Sequence, residues 1–361
     1  MNNTQTNIDR TQNTASFSTT EMSRKRRRKV RFKPNKEGML ALLALILIVA
    51  IVVTALVFAL KGIITAVNES KETTTDPGNN PPILPWNSAY TNTTKYNIDI
   101  SSGDLILVNA QNSYSQADTL NSRQLSSLAG YEGHSTYYVL FDNTIKVRTS
   151  ILPSLKQMIF DMVDANPETL GTTKEADRLY IYSGYRNTEA QTSLNTNKPS
   201  EYPEAPGYSE HHTGYAFDLK IFSKDTTTIS MRDAEYKWLE ENCAKYGFII
   251  RYDSSKAELT GIVDEPHHLR YVGVPHATYM NKNNYCLEEY LELLRNNHSY
   301  DKTPLEITAG EKEYLVYYVA ANTADGATFT SIPVPPETEG TYTISGDNMN
   351  GFIVTVEKAA K

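Results

Sequence analysis

Four of the seven histidines of this chain sit in two adjacent pairs, His211 and His212 within SEHHTGYAFD (residues 209–218) and His267 and His268 within DEPHHLRY (residues 264–271). In an extended segment neighbouring side chains point to opposite faces, so each pair can offer one imidazole to a shared metal ion. Two such histidines leave room for one more protein ligand and an open position, the arrangement of a catalytic zinc; a structural site is closed by four protein ligands, often cysteines. The only cysteines, Cys243 and Cys286, lie away from both pairs, so a structural cysteine site is not available. The carboxylates nearby are Glu210 and Asp218 beside the first pair, and Asp264 and Glu265 beside the second. Hydrolysis at a metal takes at most one of them as ligand and needs another to accept a proton from water. Residue types alone leave open which histidine and which carboxylate take each part.

The segments that must position these groups follow an α+β order. DLILVN (104–109) reads as a buried strand, and ILPSLKQMIFDMVDA (151–165) as a helix, with Leu155, Met158, Ile159, Met162 and Val163 at helical spacing. RLYIYSGY is a strand, a loop rich in Pro and Asn leads into the first histidine pair, and YAFDLKIF is the next strand. AEYKWLEENCAKYG then reads as helix, FIIRY and HHLRYVG as strands, and CLEEYLELL as a closing helix. Both cysteines fall in helical segments, where their plain reading is as buried small apolar side chains. Beyond Pro304 the pieces KEYLVYYVAAN, ATFTSIPVP and TYTISGDNMNGFIVTVE are strand-like and divided by turn residues, which predicts a small β appendage over 303–361.

Charge divides the chain. Residues 1–60 carry ten Lys/Arg against three Asp/Glu, leaving 25 basic against 39 acidic residues and a net −14 beyond them. An acidic body argues against nucleic acid, whose binding needs a basic face to replace phosphate counterions. At the boundary lies MLALLALILIVAIVVTALVFAL, residues 39–60, 22 positions without a charge or a proline. At about 1.5 Å per residue a helix of that length spans a hydrocarbon core of roughly 30 Å. It is longer than the apolar region of a secretory signal and lacks a clear cleavage site, which favours an uncleaved anchor. The basic run RKRRRKVRFKPNK before it predicts a cytoplasmic N-terminus and a body outside the cell. Residues 1–38 then form a disordered basic tail, 61–95 a tether, and 96–302 the main domain.

The two histidine motifs carry a resemblance. SEHHTGYAFD matches S-x-H-x-x-G-x-A-x-D, and EPHHLRYVG is similar to E-P-W-H-x-R-Y-V-G, the paired motifs of the VanY-like D-alanyl-D-alanine carboxypeptidases, zinc peptidases of bacterial peptidoglycan. SGYRNTEAQ, WLEENCAKYGFIIRY and KAELTGIVDEP resemble further family pieces in the same order, so the resemblance covers about residues 96–295. It implies a mixed or antiparallel sheet with flanking helices, of the hedgehog/DD-peptidase type, holding one Zn²⁺ per catalytic domain. Carried over by position, it makes His211, Asp218 and His268 the zinc ligands and Glu265 the general base. It gives Arg186 an oxyanion or substrate carboxylate, and sets Tyr185, Gln191 and Ser209 along the substrate site. Tyr252, Arg270 and Tyr271 also match motif positions, where packing explains them equally well. His267 stands where the family usually has Trp, Tyr215 where it has Leu, and Asn187 where it has Ser, which bears on the pocket wall and not on the ligands. The implied activity is a membrane-anchored extracellular D,D-carboxypeptidase removing the terminal D-Ala of peptidoglycan stem peptides. The alternatives are an L,D-carboxypeptidase on tetrapeptide stems, or a wall-binding protein without turnover.

Overall fold

The computed structural model describes residues 89–167, 170, 177–198, 204–222, 228–229 and 237–359. The expected tail, the apolar run 39–60 and the tether up to 88 lie outside the described residues; among those described, no helix is long and apolar enough to cross a membrane.

The first element is a strand, β1 (Thr91–Tyr96), where the sequence reading extends the tether to 95. Threonines at 91, 93 and 94 suit the pleated backbone, and the strand is held by a distant partner described below. DLILVN differs from expectation in another way. Leu105, Ile106, Leu107 and Val108 are buried as predicted, yet the segment forms no strand. Buried backbone groups must be paired, and here side chains and a turn do what a neighbouring strand would do. The Leu105 N–H donates to Ser345 Oγ at 3.0 Å and the Leu107 N–H to the Asp347 carbonyl at 3.0 Å. Arg270 Nη2 donates to the carbonyls of Asp104 and Ile106 at 2.9 and 2.8 Å.

Short strands β2 (Leu125–Ser127), β3 (Val139–Leu140) and β4 (Lys146–Arg148) lead into helix α1 (Leu152–Ala165). Pro153 sits in the first turn of α1, where its missing N–H breaks no helical bond. The apolar stripe read from sequence, Leu155, Met158, Ile159, Met162 and Val163, is buried along one face. There follow β5 (Arg178–Ser183), α2 (Thr188–Asn197), β6 (Ala216–Phe222), β7 (Thr228–Ile229), α3 (Lys237–Asn242), β8 (Phe248–Tyr252) and β9 (Glu265–Tyr271). The central sheet runs β3-β5-β6-β9-β8 with β7 added on β6, and only β3–β5 is parallel. In β6 the alternation is plain: Phe217, Leu219 and Ile221 join the core with α1, while Ala216 and Asp218 belong to the opposite face.

Helices α4 (Val274–Asn283), which the sequence reading did not anticipate, and α5 (Leu287–Asn297) come next. The chain ends in β10 (Leu305–Ala309), β11 (Lys312–Ala320), β12 (Phe329–Val334), β13 (Gly340–Gly346) and β14 (Gly351–Lys358). Four of these form an antiparallel sheet in the order β10-β11-β14-β13, while β12 pairs with β1. Both faces of the sheet are covered. Val316, Tyr318 and Ile353 pack with Leu287, Tyr290, Leu291 and Leu294 of α5. Tyr317, Phe352, Val354 and Val356 pack with Ile332 and Val334 of β12. The segment expected as an appendage therefore shares its core with the domain before it, because an apolar sheet face has to be buried against something. Cys243 and Cys286 are free and buried; one opens the 3₁₀ turn after α3 and the other caps α5.

Candidate metal centre and active site

Strand register brings the first two groups together. Asp218 on β6 lies directly opposite His268 on β9. Their side chains therefore share one face of the sheet, and Asp218 Oδ1 is 3.2 Å from His268 Nδ1. The third group arrives from a 3₁₀ turn, Glu210–Thr213, that enters β6. Gly214 ends that turn at φ 71°, a left-handed conformation that favours glycine, and a Cβ there would also press on Leu125 Cδ2 at 2.9 Å. The turn aims His211 Nε2 at Asp218 Oδ2, 3.5 Å away. One donor atom from each of His211, Asp218 and His268 lies within 4.8 Å of the other two, and all three residues are buried.

These donors fit a divalent ion. Asp218 Oδ1 is buried with no hydrogen-bond partner, which is costly unless a cation completes it. Two imidazoles and a carboxylate suit zinc and leave a coordination position open. The far side of each ring is held. His211 Nδ1 donates to the Gly184 carbonyl at 2.7 Å, and His268 Nε2 faces Glu210 Oε2 at 3.4 Å. Burial, helped by Arg186, lowers the His211 pKa to about 4, so this ring is neutral and keeps a lone pair on Nε2. Burial also opposes a charge on His268, but the carboxylates of Asp218 and Glu210 outweigh it and raise that ring to about 10. A cation held here would need the lone pair of His268 Nδ1, so its binding would be coupled to release of any proton on that atom.

Glu265 reaches this face through an irregularity. Three positions separate it from His268, which in a regular strand puts the two on opposite faces. Between the pairs Tyr252↔Glu265 and Ile250↔Leu269, however, β9 spends two more residues than β8. At this break in the register Glu265 Oε2 lies 3.8 Å from His268 Nδ1. Burial raises the Glu265 pKa to about 7, with His268 opposing and Glu204 and Asp218 reinforcing the shift. A carboxyl titrating near neutrality is suited to accept and return a proton.

Arg186 is buried, and three side-chain oxygens accept from its fork. Nε donates to Gln191 Oε1 at 2.9 Å, Nη1 to Ser183 Oγ at 2.9 Å and Nη2 to Ser209 Oγ at 3.3 Å. Gln191 and Ser209, expected along the substrate site, thus orient the arginine. Gln191 is delivered by α2, whose first turn is capped by Asn187 Oδ1 accepting from the Ala190 N–H at 2.8 Å. Tyr185, expected to touch substrate, gives its hydroxyl to the Ala117 carbonyl at 2.6 Å, so it braces the loop before β2.

The partner histidines differ from each other. His267 stays partly exposed and outside the triad. His212 is fully buried; its Nδ1 donates to the Arg186 carbonyl at 2.7 Å and its Nε2 accepts from the Gly207 N–H at 2.9 Å. Strand alternation separates the members of the second pair. In the first pair the 3₁₀ turn does so, and both rings end up inside.

A cluster behind His268 has no counterpart in the sequence reading. Glu210 Oε1 accepts from Arg251 Nε at 2.9 Å and Arg270 Nη1 at 2.8 Å. Arg251 in turn grips Glu288 of α5 with both Nη atoms, at 2.9 and 2.7 Å. Burial pushes the Glu210 carboxyl up, but the two guanidinium groups prevail and hold it well below the usual carboxylate range. The available signal was two arginines on neighbouring strands, each beside apolar residues that had to be inside.

The fold and this site define a class, the α+β peptidases with a His-Asp-His centre, and the comparisons agree with it. The D-alanyl-D-alanine carboxypeptidase family VanY matches residues 146–274. A D-alanyl-D-alanine carboxypeptidase of Enterococcus faecium is 35% identical over 254 residues, covering 70% of this chain and 75% of the relative. One from Enterococcus faecalis (strain ATCC 700802 / V583) is 33% identical over 218 residues, covering 55% of this chain and 69% of the relative. Among solved structures, the vancomycin-resistance D,D-dipeptidase VanXYg, crystallised with a D-Ala-D-Ala phosphinate analogue, matches with a TM-score of 0.59 at 26% identity, over 74% of this chain and 99% of that one. The chain belongs to the VanY D-alanyl-D-alanine carboxypeptidase family.

Proposed function

We propose that this protein is a D,D-carboxypeptidase that cleaves the terminal D-alanyl-D-alanine bond of peptidoglycan stem peptides, with zinc at the His211, Asp218 and His268 site. The observation that carries the reading is the convergence of those three residues' donor atoms, with the Glu265 carboxylate 3.8 Å from His268. Zinc held there would act as a Lewis acid toward the scissile carbonyl and acidify water. Glu265 accepts a proton from the attacking water and delivers it to the departing amine nitrogen. The C–N bond breaks, the shortened peptide keeps the water oxygen, and D-alanine leaves. Arg186, with its fork oriented by Gln191, Ser183 and Ser209, offers charge and donors to the oxyanion or to the substrate's terminal carboxylate.

Mass spectrometry of products tests this. The purified protein with zinc is expected to remove one alanine from a stem pentapeptide. Loss of alanine only from the tetrapeptide replaces the reading with L,D-carboxypeptidase activity, and loss from neither, with metal bound, leaves the wall-binding alternative.

The same reading places the enzyme outside the membrane, tethered through residues 39–60 with its N-terminus in the cytoplasm. Its support is the uncharged run and the basic stretch before it. External protease on intact cells should then remove the catalytic body and spare an epitope at the N-terminus; an epitope lost from intact cells overturns that orientation.

A further inference from the structure

We propose that Glu210 is a positioning residue that makes Nδ1, and not Nε2, the metal-binding atom of His268. The proposal rests on the metal reading of the site. Asp218 Oδ1 is 3.2 Å from Nδ1, on the side where His211 Nε2 also points. Glu210 Oε2 is 3.4 Å from Nε2 on the other side, and neither of these two buried atoms has a hydrogen-bond partner elsewhere, so each is the other's nearest polar complement. A carboxylate in that place requires a proton on Nε2, and the ring must then present the lone pair of Nδ1 to the cation.

The carboxylate can do this because it is itself immobile and compensated. Its side chain is fully buried, and Oε1 is shared by Arg251 and Arg270, whose side chains are equally buried. Arg251 closes onto Glu288, so two guanidinium groups meet two carboxylates and the cluster leaves no net charge behind the metal ligands. Glu210 directly precedes the first ligand, His211, and so the 3₁₀ turn that aims one ligand inward also carries the group that orients the other.

The test uses the full chain and reads zinc affinity by chelator competition together with thermal unfolding. Glu210→Gln is expected to weaken zinc about 10–100-fold, the effect typical of removing the partner that orients a ligand. Glu288→Gln breaks the same buried cluster at its far end without touching His268. It should lose comparable thermal stability and keep zinc affinity within about twofold, since oriented ligands persist when only distant packing weakens. Equal loss of affinity in both variants, or none in Glu210→Gln, overturns the proposal in favour of a purely structural cluster. Should Glu210→Gln not fold, the unmutated protein decides. In ¹⁵N-histidine-labelled, zinc-loaded protein, His268 should show metal-bound Nδ1 and a slowly exchanging proton on Nε2, and a metal-bound Nε2 overturns it. Failure of the unmutated protein to bind zinc is a different outcome, which removes the metal reading itself and this proposal with it.

Discussion

His268 and His276 lie eight positions apart and are 4% and 3% exposed, but their surroundings drive their protonation in opposite directions. His268 sits between the carboxylates of Asp218 and Glu210, which overcome burial and raise it to about 10. His276, on α4, is hydrogen-bonded by hydroxyls, Tyr290 at Nδ1 (2.7 Å) and Thr355 at Nε2 (3.0 Å), and burial lowers it to about 3. The two rings typify their regions. The site face of the central sheet buries charge and balances it with charge, whereas the core between α4, α5 and the C-terminal sheet is apolar with neutral hydrogen bonds. Burying an unpaired charge is costly, so each region tolerates only its own kind of polar group. Substitutions in the first should therefore strike metal and chemistry, and those in the second should strike stability.

The sharpest test of that division is Glu265→Gln. It should lower kcat by about 10²–10⁴-fold, as expected for removing a general base, with zinc content and thermal midpoint unchanged. The acid limb of the kcat/KM profile belongs to the same group. Activity should rise with pH through the Glu265 pKa, which is about 7 without a cation and lower beside one, and the limb should vanish in the variant. Loss of zinc together with activity would merge the base with the ligand set.

On the other side of the comparison, Leu291→Ala empties part of the core between α5 and the C-terminal sheet. It should cost about 2–5 kcal/mol in urea unfolding and leave the zinc affinity of folded protein unchanged. A parallel fall in affinity would show the two regions to be coupled. Smaller, and confined to acid, is the effect of His276. Its folded pKa of about 3 is depressed, so its contribution to stability is present above the unfolded value of about 6.5 and lost as pH falls toward 3. Between those limits, the stability of metal-free His276→Gln should fall less steeply than that of the parent. The difference in slope is up to one proton, or about 1.36 kcal/mol per pH unit, and equal slopes would show that the buried ring does not resist protonation.

The smallest effect separates the first histidine pair. His212→Ala removes two hydrogen bonds around Arg186 and Gly207, costing about 1–3 kcal/mol, with zinc retained. His211→Ala should lose zinc. The comparison fails if both variants retain it or both lose it.

Much of this was legible along the chain. Helix α1 announced itself by its apolar stripe, and β5, β6 and β8 by apolar residues between turn residues, because periodicity reports directly which side of an element is buried. Helix α4 was missed because its ten residues, VPHATYMNKN, bury Pro275, His276, Ala277 and Met280, a mixture with weak contrast between faces. The buried segment 104–109 passed for a strand because burial was readable and hydrogen-bond partners were not. Strand β1 was hidden in a polar stretch, since its partner β12 lies more than two hundred residues away.

For the site itself, the sequence by itself determined the chemistry on offer: two histidine pairs, each beside carboxylates, with no cysteine set to close a structural metal site. Tertiary structure alone decided which atoms meet. The register of β6 on β9 set Asp218 against His268, the break in the β8–β9 register between Ile250 and Tyr252 left Glu265 3.8 Å from His268, and α5 supplied Glu288 to steady the arginines behind Glu210. Residue types and local spacing specify what a side chain can do, but distances of a few ångströms between separate strands arise only when backbone pairing and core packing fix how those strands lie together.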